Sequence, residues 1–113
     1  MTGTPNQIQM ADQIRRLVAA EFDRVALAFQ AVAFTQQGEI RAETVDILEI
    51  LAGKRAEVLA NDRAGYFITT WRELSDQVRQ LIFADPAYKA IQLRRTQRSL
   101  LEKPEVPPSP VSA

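Results

Sequence analysis

The chain of 113 residues contains no cysteine and no histidine. The first absence excludes disulfides, thiolate nucleophiles and zinc–sulfur sites. The second removes the commonest general base and the commonest transition-metal ligand. Together they exclude Ser-His-Asp triads, Cys-His dyads, zinc fingers and His-containing di-iron sites. Catalysis would have to rest on carboxylate, lysine, arginine, tyrosine or hydroxyl groups. Net charge is also missing, because 14 basic side chains cancel 14 acidic ones. No global field draws such a chain toward nucleic acid or an anionic membrane.

Long apolar runs are absent too. The longest uncharged run, residues 25–38, falls short of the about 20 apolar residues that a membrane-spanning helix requires. The opening MTGTPNQIQM carries neither a basic n-region nor an apolar h-region, so a cytoplasmic location is expected. P-loop, dinucleotide and EF-hand glycine patterns are missing. So are a nucleophile elbow and a fixed carboxylate pair. No cofactor and no metal site is expected, and the chain does not read as an enzyme.

What is present reads as one soluble helical domain. Apolar residues make up 46% and charged residues 25%, in a length suited to a single core. Thr4-Pro5-Asn6-Gln7 fits a helix start, with threonine as N-cap, proline at N1 and glutamine reaching back from N3. Ile14, Val18, Phe22, Val25, Phe29 and Val32 then recur at helical steps up to a turn at Gln36-Gln37-Gly38. This first helix is about 45 Å long. It exceeds a compact small domain and needs long partners in its own chain or a second chain beside it.

A second helix is expected over residues 39–61, with Val45, Leu48, Leu51, Val58 and Leu59 inward. Gly53 in its middle costs about 1 kcal/mol relative to alanine. It marks a close crossing or a split, and the continuous helix is the preferred reading. Turn residues at 61–65 lead to a third helix carrying Phe67, Trp71, Leu74, Val78 and Leu81, which ends near Phe83. It starts near Arg63, or at a Thr70–Glu73 capping box. Asp85-Pro86 stops it and opens a fourth helix that ends near Lys103. The final PEVPPSPVSA, with four prolines, cannot form a packed element and reads as a disordered, partly polyproline II tail. Its overlapping PxxP spacings lack the usual flanking arginine. The domain therefore spans residues 1–103 and the tail 104–113. The fold class is all-α, an antiparallel bundle of three or four helices with a long first helix.

Two features bear on function. In KAIQLRRTQRSLLEK, residues 89–103, Ala90, Leu93, Gln97, Leu100 and Leu101 share one flank, and Arg94, Arg95 and Arg98 form a stripe beside it. Arginine forks onto carboxylate or phosphate. No aromatic lies among these arginines for base stacking. Glu39, Glu43, Asp46 and Glu49 on the second helix offer a counter-face. Self-pairing or solvation of the stripe is favoured, ahead of an acidic protein partner and then of nucleic acid. The acidic face lacks a cation-wrapping loop and reads as solvated. Trp71 reads as a core anchor rather than a ligand-stacking group.

The second feature is VALAFQAVAF, residues 25–34. Apart from Gln30 it is apolar all the way round, and such a helix must be covered on every side. Val25, Phe29 and Val32 are the expected partner-binding residues of a subunit seam, with Arg94, Arg95 and Arg98 as the second partner-binding set. The function expected is that of a non-enzymatic helical adaptor, chaperone-like or regulatory subunit acting through protein contacts, as a homo-oligomer. The alternative is a nucleic-acid-associated protein that uses the basic last helix.

Overall fold

The computed structural model describes residues 1–102. They form five helices: α1 (Pro5–Phe34), α2 (Gly38–Leu59), α3 (Ala64–Thr70), α4 (Leu74–Ala84) and α5 (Pro86–Glu102). The fold is all-α with a long first helix. The expected Pro-rich tail lies outside the described residues.

The start of α1 is the capping box read from the sequence. Gln7 N–H donates to Thr4 Oγ1 at 3.2 Å, and Thr4 N–H donates to Gln7 Oε1 at 3.0 Å. Gly38, at a φ of +63°, provides the left-handed residue that turns the chain into α2. The two helices pack as an antiparallel hairpin. Arg15 fastens its open end by donating from Nε (3.1 Å) and Nη2 (2.8 Å) to the Leu59 carbonyl. That places a cation at the negative end of α2, which has no basic residue in its own last turn.

The core is built on Val18 and Phe22 of α1, Ile47 and Leu51 of α2, Phe67 of α3, and Val78 and Ile82 of α4. The α1 stripe expected from periodicity is buried at Val18, Phe22 and Val25, partly buried at Ile14 and Phe29, and exposed at Val32. α2 runs unbroken through Gly53, where an added Cβ would meet open space, so no helix crosses there. Of the expected inner row Leu51 and Val58 are buried, Leu48 and Leu59 are partly buried, and only Val45 is exposed, its place in the first half of the helix being taken by Glu43, Thr44 and Ile47.

The expected third helix is divided. Trp71 leaves the helical region, at φ −97° and ψ 75°, so α3 and α4 are separate. The run Ile68-Thr69-Thr70 before it is β-branched and gives a helix little support. The Thr70–Glu73 capping box does not form, because Glu73 is itself the N-cap of α4. Gln77 bridges the gap instead. Its Oε1 accepts from Glu73 N–H at 2.8 Å, and its Nε2 donates to the Thr70 carbonyl. Trp71 is buried edge-on to Phe22, with ring centroids 6.2 Å apart, as a core anchor.

Asp85 carries the last connection. It accepts from Ala87 N–H at 2.8 Å and from Tyr88 N–H at 3.3 Å, and Pro86 occupies N1, as the sequence suggested. Lys54 lies 3.1 Å from it, and this partner chiefly holds the Asp85 carboxyl below its ordinary range. α5 packs on α2 and α4 and makes no substantial contact with α1 or α3.

Candidate functional site

Each of the two groups of residues singled out in the sequence is gathered within itself. Val25, Phe29 and Val32 line one apolar groove of about 200 Å³ between α1 and α4, closed on the far side by Ile82 and Phe83. Arg24 and Arg79 also line it. Val25 lies at the groove floor and belongs to the core, whereas Val32 is exposed.

Arg94, Arg95 and Arg98 converge on Glu43. Arg95 Nε donates to Glu43 Oε1 at 3.1 Å, and its Nη2 donates to Thr44 Oγ1 at 2.8 Å and to the Ile40 carbonyl at 3.3 Å. Arg98 grips the same carboxylate with two nitrogens, Nη1 to Oε1 at 3.2 Å and Nη2 to Oε2 at 2.5 Å. Arg94 stands farther out, 3.6 Å from Oε2. This forked, charge-assisted arrangement is the strongest hydrogen-bonding geometry arginine offers. It holds the Glu43 carboxyl below its ordinary range, with Arg98 as the main cause.

Glu43 belongs to the acidic counter-face expected for the arginines, and of the two outcomes favoured for the stripe, self-pairing and solvation, the structure has self-pairing. The solvated reading of that face fails at Glu43, which is 4% exposed. Among its expected companions, Asp46 and Glu49 are exposed, and Glu39 reaches Arg98 only at 3.6 Å. A signal was available. The buried row Leu51, Ile47 continues one turn toward the N-terminus onto Glu43. The arginine stripe thus faces the protein, and Leu93, Leu100 and Leu101 of the neighbouring flank are left exposed.

Comparison of the chain with protein-family models, curated proteins and solved structures returned no match. Geometry alone therefore has to carry the functional reading. Among the described residues no helix is long and apolar enough to cross a membrane.

The segment 25–34 divides between two environments. Val25 and Ala33 are buried, while Leu27, Val32 and Phe34 are exposed. Met10 and Leu17, earlier in the same helix, are exposed as well. Intramolecular packing covers one side of this helix and leaves the other in water.

Proposed function

We propose that the protein is a non-enzymatic helical subunit, of the adaptor, chaperone-like or regulatory kind, which acts through protein contacts and associates with itself. One observation carries this reading: α1 holds large apolar side chains in water along the side turned away from its core. A row of large apolar side chains left in water fits an interaction site.

The arrangement of the arginines favours protein contacts over nucleic acid. A phosphate backbone needs free guanidinium groups, and Arg95 and Arg98 are already forked onto a buried carboxylate. Light scattering across a concentration series tests the proposal. The expected mass is at least twice 12.7 kDa. A monomer mass that stays constant up to high concentration would refute self-association.

A further inference from the structure

The uncovered side of α1 has a period. Met10, Leu17, Arg24 and Ala31 are spaced by seven, and Gln13, Ala20, Leu27 and Phe34 follow each of them by three. All eight positions are exposed. Alternating steps of three and four are the a and d positions of a heptad seam, on which a second helix packs knobs into holes. The seam is about 36 Å long. It borders the groove formed by Val25, Phe29 and Val32, with which it shares Arg24.

Resting on the self-association reading above, we infer that this seam pairs with the same seam of a second copy, antiparallel and in full overlap about a two-fold axis. In an antiparallel pair each a position meets a d position, and in an isologous interface every contact occurs twice. Full overlap sets Met10 against Phe34 of the second copy and Leu17 against its Leu27. Each of the four largest apolar side chains then faces another one. The remaining layers set Gln13 against Ala31 and Ala20 against Arg24, a small residue opposite each long polar one. Alanine opposite Arg24 leaves room for its guanidinium to stay forked onto Glu21 of its own chain.

Charge decides the direction. A parallel, in-register pair would stack Arg24 on Arg24 inside one layer, placing like charges in a desolvated seam. The antiparallel pair separates them by an alanine. The axis brings Glu21 of one copy level with Asp23 of the other, and each of these acids already has a cationic partner within its own chain. Arg24 holds Glu21, and Arg55 Nε lies 3.0 Å from Asp23.

The area is also sufficient. Met10, Leu17, Leu27 and Phe34 are 52, 57, 64 and 84% exposed. At side-chain areas of roughly 200 Å² they present about 500 Å² of apolar surface per copy, or about 1,000 Å² in the pair, the size a specific interface has to reach.

The absence of cysteine makes the test clean, since an introduced thiol has no competitor. Leu17→Cys and Leu27→Cys chains are prepared separately, then mixed, equilibrated and oxidised. Both sites are exposed in the single chain, so neither change disturbs the core. The mixture is expected to give a cross-linked dimer at least tenfold faster than either variant alone. In this register two copies of position 17 lie about 15 Å apart along the axis, beyond disulfide reach. Self-linking of Leu17→Cys at the mixture's rate would mean a parallel pair and would overturn the proposal. Faster linking of Leu17→Cys to Ala20→Cys would mean a shifted register and would also overturn it. The mass of the unsubstituted protein separates the levels. A dimer without the cross-link keeps self-association and rejects this face, whereas a monomer rejects both.

Discussion

Replacing Glu43 by glutamine should loosen α5 from the rest of the protein. The substitution keeps the volume and removes the charge that Arg95 and Arg98 share. Removing one member of a buried ion pair costs about 3–5 kcal/mol when the other charge is trapped. Here the trap is incomplete, because the two arginine side chains are 25% and 21% exposed and can turn partly to water. The glutamine oxygen also retains one hydrogen bond. The expected loss is therefore lower, about 2 kcal/mol. Apart from this cluster, α5 is held mainly by buried Ile91, partly buried Tyr88 and the Asp85 cap. The loss should thus appear as local opening of α5. Amide hydrogen exchange over residues 92–99 should accelerate about 30-fold, the equivalent of that energy, while amides of α1 near Phe22 change little. Glu39→Gln is the control. Glu39 side chain is 75% exposed with one contact at 3.6 Å, so its loss should cost less than about 0.5 kcal/mol. Exchange in α5 within threefold of the unsubstituted protein, or an equal effect from Glu39→Gln, would refute the reasoning.

Three further outcomes follow from the same contacts. The folded pKa of Glu43 lies below its ordinary 4.5 and that of Asp85 below its ordinary 3.8, each held down mainly by its cationic partner. On acidification the unfolded chain therefore takes up these protons first, so their stabilisation is complete above 4.5 and is lost as pH falls through the folded values. Urea midpoints should be level from pH 7 to pH 5.5 and fall below 4.5, less steeply for Glu43→Gln; an equally steep fall in that variant would contradict this. Gly53→Ala should stabilise by about 0.5–1 kcal/mol, because the position is mid-helix and its Cβ would meet no neighbour. A lower urea midpoint for this variant would show that the helix does not run straight through. Mixed-sequence DNA or RNA should show no binding at physiological salt. Micromolar binding with a steep salt slope, lost on Arg94→Ala/Arg95→Ala/Arg98→Ala, would reverse the order of the two functional readings.

The parts legible in the sequence are those set by neighbouring residues. Thr4 with Gln7, Gly38, and Asp85 with Pro86 each make their structure within one turn, and the structure has them where local chemistry puts them. The division at Trp71 was legible only as one of two possible helix starts, because Phe67, Trp71, Leu74 and Val78 keep helical spacing across the break. The backbone angles of Trp71 and the side-chain bridge from Gln77 mark where the helix stops. Glu43 was legible as a partner for the arginines, since their stripe and its face could be matched, but its burial was not, because a carboxylate at the end of a buried row reads as surface. The seam on α1 was half visible. Composition indicated that the segment 25–34 is too apolar for one covered face, but which face is left bare depends on where α2, α3 and α4 dock.

Sedimentation equilibrium of the unsubstituted protein beside Leu17→Glu/Leu27→Glu tests the α1 seam most directly. Both leucines are in water in the single chain, so the substitutions should leave helicity and urea midpoint at low concentration unchanged. In the pair they would place charges in two symmetry-related apolar layers. The unsubstituted protein should approach twice 12.7 kDa as concentration rises, and the variant should remain at the single-chain mass. Equal masses for the two proteins at every concentration would contradict the assignment of this face.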